Sequence, residues 1–391
     1  MTIIITKAFP SFFSLLIFTA VLAGCSGDDN RPPSTSTVPY TYEKPQSDSD
    51  WETRHVSEVG LDSAALETMM SRQNLEALNI QSVLIVKDNA LVFEEYFSGE
   101  DSTGVEIDFD KDTLHEQFSV TKSISSLLMG IAIENGAIGS LDESLSAYMP
   151  DHSAYFSDPL KASITLYDVL TMQGGIEWNE LRASRETSAL FDMLGSEDPL
   201  TYTLSQPSIV EPGTVFEYST GVATLLSEVI NTATASSVDV FAQENLFTRL
   251  NIDNASWQTH ETGHIFTGTG LSLRPRDMAK IGQLILNNGV RGDEALISES
   301  WINESTSPHL VFQDVYPFFE YAYYWWRRAF YIDANTATTV IVAMGYGGQM
   351  IYVIPEFSAV VVFTAGNFDA GGGQVVHSIM EADIVPSFVS Q

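Results

Sequence analysis

Ser119 and Lys122 stand three residues apart at the head of the apolar run Ile124 to Ile133. On an α-helix that spacing stacks both side chains on one face, one turn apart. The hydroxyl then sits at the positive end of the helix and the amine one turn deeper. A neutral lysine in that place takes the serine's proton and makes it a nucleophile. Lysine ordinarily titrates near ~10.4, so the chemistry requires a large downward shift. Burial in an apolar helix and the positive helix terminus both push that way. The helix should stop at Asn135-Gly136, where glycine suits a left-handed cap. The same residues also suit a core helix carrying a surface lysine, so the rest of the chain has to decide.

A second constellation is His260-Glu-Thr-Gly-His264, which fits the zinc-protease pattern His-Glu-x-x-His. That pattern needs a helix, and the Thr and Gly around it are poor helix formers. No third ligand stands out, so no metal is expected. Gly-x-Ser-x-Gly is absent from the sequence, which leaves an α/β-hydrolase nucleophile elbow without support.

The chain has 391 residues, with 18 basic against 51 acidic ones, a formal charge of −33. Nucleic acid and anionic lipid head groups would be repelled and are excluded as partners. The charge serves solubility. The length suits one large domain or two.

Residues 1–24 have the layout of a secretory leader: Lys7, an apolar core from Phe12 to Val21, then small residues. Leu22-Ala-Gly-Cys25 resembles the lipobox of bacterial lipoproteins, which implies lipidation of Cys25, the chain's one cysteine. Ser26 differs from the Asp that often signals inner-membrane retention. The expected address is therefore the bacterial cell envelope, on the periplasmic face of the outer membrane, with the membrane met only through the anchor. Residues 25–50 are rich in Ser, Thr, Asp and Pro and read as a disordered tether. The folded domain is expected over 51–391.

Within it, Gly60 to Leu78 reads as a helix, and Ser82–Lys87 with Leu91–Phe97 as a hairpin turning at Asp88-Asn89. Helical patterns dominate from about 140 to 310, including Thr220–Thr234 and Pro275–Asn288. Strands return at Tyr321–Arg328, Thr339–Met344, Gln349–Ile354 and Ala359–Ala365, and a helix near 373–382 closes the chain. Strands at both ends predict an α+β fold: one antiparallel sheet built from both termini, flanked by helices, with a mostly helical insert.

Several segments then carry a resemblance. Phe118-Ser-Val-Thr-Lys-Ser-Ile124 is similar to the nucleophile motif of the serine β-lactamase and penicillin-binding superfamily. Ile164 to Trp178, Glu211-Pro-Gly-Thr-Val-Phe-Glu-Tyr218-Ser219-Thr220, Gly270 to Asp277 followed by Met278 to Gly282, and Gly345-Tyr-Gly-Gly-Gln349 follow in the order of its class C-like branch. That branch includes esterases, D-amino-peptidase-type enzymes and 6-aminohexanoate-dimer hydrolases. The resemblance runs from about Trp51 to the C-terminus.

It implies a β-lactamase/transpeptidase-like fold and an acyl-enzyme on Ser119. Lys122 and Tyr218 would share the mobile proton, either being the formal base. The N–H groups of Ser119 and Gln349 would hold the oxyanion. Thr220 stands where β-lactamases carry Asn, and Tyr346 where they carry the Lys that binds a substrate carboxylate. The substrate is thereby moved toward a small ester or amide, with Thr220, Trp178, Tyr346, Gly347 and Gly348 as its expected contacts. No metal or organic cofactor is implied. Two alternatives stay open: a β-lactamase or D,D-peptidase acting on cell-wall peptides, and a catalytically idle relative that binds a ligand or partner.

Overall fold

The computed structural model describes residues 3–5, 40–72, 75–184, 187–312, 319–332, 336–368 and 372–388. Cys25, the rest of the expected leader and the tether up to residue 39 lie outside them.

The organising layer is an antiparallel sheet that uses both ends of the chain. Strand β1 (Ile80–Lys87) turns into β2 (Ala90–Tyr96) through Asp88 and Asn89, both at positive φ. Asp and Asn tolerate that region, and the turn it makes matches the twist of paired strands. The buried helix α1 (Val120–Glu134) and the amphipathic α2 (Pro275–Leu286) come next in the chain. The sheet resumes with β3 (Trp326–Tyr331), β4 (Ala337–Gly345), β5 (Gln349–Ile354) and β6 (Ala359–Ala365). In space the order is β3, β4, β5, β6, β1, β2, so the last strand pairs with the first. Beyond β3 lie Phe319–Tyr321, Leu310–Phe312 and Ile3–Ile5, the last of these inside the expected leader.

Every residue of β5 and β6 is buried, so both faces of the sheet must be covered. On one face α2 lies close enough for Gly282 to touch Val360 and Ile351; a Cβ there would come within 2.4 Å of Val360 Cγ1. The other face receives the C-terminal helix Gly372–Ile379, where His377 Nδ1 meets the Tyr352 hydroxyl at 2.7 Å. The α+β arrangement with a helical insert is what the sequence predicts. Within the insert Leu166–Leu170, Ala189–Leu194, Pro199–Ser205, Thr220–Thr224 and Leu226–Thr234 are helical.

Three boundaries differ from expectation. The helix expected over Gly60 to Leu78 is Ser63–Arg72, because the chain turns before Asn79, which sits at φ 48° with its amide bonded to Gly366 O at 2.8 Å. The single strand expected over Tyr321–Arg328 is instead a hairpin. Tyr324 adopts φ 63°, and Ala322 N–H donates to Trp325 O across the turn. The tether is also shorter than 25–50. Tyr42 is buried with its hydroxyl on Val92 O, and Asp48 and Asp50 pair with Arg276 and Lys280 of α2, each at 2.5 Å. Docking of residues 40–50 therefore adds a second carboxylate to each of these buried cations, which already pair with Glu94 and Asp277.

Candidate active site

Helix α1 is fixed from several sides before its chemistry begins. Ser123 donates to Tyr324 O (2.7 Å), Ser125 donates to Thr267 O (2.8 Å), and Trp301 Nε1 donates to Ser126 O (3.2 Å). Phe118, just ahead of it, holds φ 45°, a conformation a bulky residue adopts only when its surroundings enforce it. Ser119 follows at the N-cap position with helical dihedrals, and its side chain makes no capping bond. The serine at the cap position thus leaves its hydroxyl available.

That hydroxyl lies 3.0 Å from Lys122 Nζ. Lys122 is 1% exposed, so no surface lysine is involved. Nζ also donates to Thr220 Oγ1 and to Gly268 O, both at 2.8 Å. Burial pushes the amine down to about 8, while the charge of Glu180 pulls the opposite way.

Glu180 is a residue that sequence reasoning missed. Its carboxylate accepts from Thr220 N–H (2.7 Å), the Thr220 hydroxyl (2.7 Å) and Trp178 Nε1–H (2.8 Å). A carboxylate only accepts, so Thr220 spends its proton on Glu180 and offers Lys122 a lone pair. Gly268 O likewise only accepts. A neutral amine has two hydrogens, and these two acceptors take both. Its lone pair is then left facing the Ser119 hydroxyl, the orientation a general base needs. The signal for Glu180 was present: it stands two residues beyond Trp178, the end of the Ile164–Trp178 segment that carries the resemblance.

Tyr218 is brought to the same place. Its ring lies under Lys122 Nζ, 4.8 Å from the centroid, and stacks on Trp326 at 6.2 Å and 29°. Trp178, expected at the substrate, is 1% exposed and packs with Met193 and Phe266, so its visible part is the support it gives Glu180.

The opposite wall is the β4–β5 turn. Gly345 pairs with Gln349, and a Cβ at Gly345 would come 2.4 Å from Gln117 O. The strand start thereby runs against the backbone leading into Ser119. Gln349 and Phe118 line one common cavity. Gly347 and Gly348 take φ 82° and 102°, and Tyr346 is exposed with its hydroxyl on Phe368 O. Phe118, Tyr346 and Phe368 form an aromatic cluster with centroids 5.6–5.7 Å apart.

The His260 motif is elsewhere and is not helical. Thr259 bridges Ile265, and His260 N–H donates to His264 O at 2.8 Å, so the two histidines flank a tight turn. His264 faces Asp198 and Glu228 at 4.0 and 3.8 Å. Among the described residues no group of three or more His, Cys, Asp or Glu is placed to hold a metal.

Comparison with known proteins fits this geometry. Residues 72–375 match the family model described as Beta-lactamase. A 6-aminohexanoate-dimer hydrolase of Paenarthrobacter ureafaciens is 23% identical over 321 residues, covering 78% of this chain and 77% of its own. Among solved structures, EstCE1, a hydrolase with promiscuous acyltransferase activity, superposes with a TM-score of 0.67 at 14% identity, covering 86% of this chain and all (100%) of its own. A penicillin-binding protein from Bacillus halodurans gives 0.62 at 17%, covering 80% and 99%.

Proposed function

Because the chain belongs to the Beta-lactamase family, with hydrolases among its relatives, we propose that it is a serine hydrolase that cleaves a small ester or amide through an acyl-enzyme on Ser119. The observation that carries this is Lys122 Nζ, 3.0 Å from the Ser119 hydroxyl and 2.8 Å from both Thr220 Oγ1 and Gly268 O. Once the amine is neutral, Thr220 and Gly268 take its two hydrogens and its lone pair turns to the serine hydroxyl. In the first step the Ser119 proton passes to Nζ while Oγ bonds to the substrate carbonyl carbon. The oxyanion so formed is held by the N–H groups of Ser119 and Gln349, preorganised donors typically worth about 3 kcal/mol each. Collapse breaks the bond to the leaving group, which takes the proton back from the Lys122–Tyr218 pair. Water then attacks the acyl ester by the same proton route and the acid departs.

Tyr346 presents an aromatic ring where a substrate carboxylate would need a cation, which favours neutral esters and amides over β-lactams and cell-wall peptides. The Paenarthrobacter relative, named for hydrolysing a 6-aminohexanoate dimer, acts on a linear amide and supports the amide part of that choice. The Leu22-Ala-Gly-Cys25 box extends the proposal to location: a lipid-anchored enzyme of the bacterial envelope. A fluorophosphonate probe with a panel of p-nitrophenyl esters tests the chemistry. The wild-type protein should be labelled once and Ser119→Ala not at all. Labelling at another serine in the intact enzyme would refute the assignment.

A further inference from the structure

Away from the nucleophile, a cavity of about 250 Å³ is lined by Asp239, Val240, Gln243, Phe247, Ala255 and Trp257. The helix Val238–Ala242 runs on into a π-helical turn, Gln243–Phe247, in which Thr248 N–H donates to Gln243 O. Such wide turns are uncommon, and where they occur they often shape a site. Phe247 is buried, and the Trp257 ring lies beside it at 6.4 Å and 29°. Trp257, Ala255 and Gln243 are half-buried, whereas Asp239 and Val240 are exposed, Val240 at 44%. A ligand entering from solvent therefore meets all of the lining side chains except Phe247 at accessible surface.

The polar groups of the cavity are all of one kind. Gln243 directs its amide nitrogen inward, to Thr248 Oγ1 (2.9 Å) and Ile252 O (3.4 Å). Its Oε1 is left as an acceptor. Asp239 accepts from the Ser237 hydroxyl through Oδ1, and among the described residues its Oδ2 has no partner. The Trp257 indole N–H is sealed from solvent, so that ring offers a π face and no donor. No Lys or Arg lines the cavity. An anion is repelled, and a hydroxylated ligand finds no donor for its oxygens. A cation that only donates is the complement, met by a carboxylate, an amide oxygen and an aromatic face.

The shape of that cation follows from the spacing. Asp239 and Gln243 are four residues apart and share a helix face, so their oxygens flank a strip rather than a point. A guanidinium has donors along its edges and a flat face for the indole, whereas an ammonium is a compact point charge. At ~30 Å³ per water the cavity holds roughly eight non-hydrogen atoms, the size of a guanidinium on a four-carbon stem. We propose that this cavity binds a small organic guanidinium, stacked on Trp257 and donating to Asp239 and Gln243, with its apolar stem against Val240 and Ala255. It is a second site, independent of the hydrolase reading. None of its lining residues belongs to the Ser119 constellation, and two strand pairings intervene. Trp257 pairs with Leu271, and Leu271 O accepts from Gln117 N–H at 2.8 Å, two residues before Ser119.

Isothermal titration of the full-length protein with n-butylguanidinium, n-butylammonium, pentanoate and N-acetyl-arginine amide tests this. n-Butylguanidinium should bind once per chain with a Kd of about 1 mM or tighter. n-Butylammonium should bind several-fold more weakly and pentanoate not at all. Asp239→Asn, at an exposed position, should weaken the guanidinium about tenfold, the loss of one charged contact, and leave the melting temperature and hydrolysis of p-nitrophenyl acetate unchanged. Trp257→Leu should weaken it several-fold. No binding of n-butylguanidinium overturns the site, as does equal binding of the ammonium or the carboxylate, or an affinity indifferent to Asp239→Asn. The arginine amide, whose backbone exceeds the cavity, should bind more weakly. Tighter binding would assign the head group to an arginine of a protein chain and overturn the small ligand.

Discussion

Replacing Glu180 by Gln should do two separable things to the pH profile of hydrolysis. The first is electrostatic. Lys122 Nζ reaches Glu180 Oε1 through the Thr220 hydroxyl in steps of 2.8 and 2.7 Å, so the two charges are at most about 5.5 Å apart. Coulomb's law gives about 3 kcal/mol at that distance for an effective dielectric of ~20, and about 0.75 kcal/mol in bulk water. At about 1.36 kcal/mol per pKa unit, these bracket a shift of roughly 0.5 to 2 units. Glu180 raises the lysine's pKa, so its removal lowers it. Lys122 must be neutral to act, and activity therefore rises with pH through a limb near 8 in the wild type, which in Glu180→Gln moves toward acid. The second effect concerns hydrogens. The Gln amide can donate to Thr220 Oγ1, and the released Thr220 proton can then turn onto the Lys122 lone pair. The plateau should fall by about 10²-fold, at the low end of what a displaced general base costs. Stopped-flow or steady-state hydrolysis of p-nitrophenyl acetate from pH 5 to 10 reads both. A purely structural role for Glu180 would lower the plateau and leave the limb in place. A limb that moves to higher pH, or an unchanged profile, would refute the reasoning.

Other outcomes follow from the same geometry. Lys122→Ala should cost nearly as much activity as Ser119→Ala with Lys122→Ala together, because residues acting as one unit are non-additive; additive losses in kcat would show that they act apart. Tyr218→Phe should cut turnover severely while circular dichroism and melting stay close to wild type, and full activity would remove the phenol from the proton route. Cys25→Ala should release the protein from the membrane pellet or block its processing, whereas unchanged membrane fractionation would count against the lipid anchor. A strong chelator should change neither activity nor melting temperature, since His260 and His264 flank a turn; loss of both with release of zinc would reverse that. Gly282→Ala forces a Cβ to within 2.4 Å of Val360 Cγ1 and should destabilise by about 1–3 kcal/mol in urea unfolding, the usual cost of overpacking.

The residues whose placement is set by local spacing were the legible ones. Ser119 and Lys122 share a helix face, so three intervening bonds along the chain told where both would be. The hairpin at Asp88-Asn89 and the buried run of β6 were legible for the same reason. Glu180 was not, because its meaning lies in Thr220 and Lys122, which reach it only after the insert folds. Trp178 misled in a related way: an aromatic beside a motif suggests a substrate wall, and nothing local says that its indole N–H is turned inward to a carboxylate. The Tyr324 turn hid inside an aromatic run that any strand would favour, because φ 63° is imposed by packing and by the Ser123 bond rather than by residue type. Residues 40–50 read as solvated by composition, yet Asp48 and Asp50 share in neutralising Arg276 and Lys280, cations that lie far along the chain and also pair with Glu94 and Asp277.

The pairing of β6 with β1 has a consequence in time. Ser82 Oγ meets Thr364 Oγ1 across 282 positions of sequence, at the middle of the sheet. A ribosome that has already made α1 has not yet made the surface that α1 and α2 pack on. Closing so long a loop costs entropy before any contact rewards it, which favours slow, late and cooperative folding. The nascent chain carries Ser119 and Lys122 in an unassembled state until nearly its last residues emerge. A premature stop before Ala359 therefore does not yield a smaller enzyme with a trimmed edge, since it removes the strand between the two halves of the sheet. Such fragments should be found with chaperones and proteases rather than in the soluble pool.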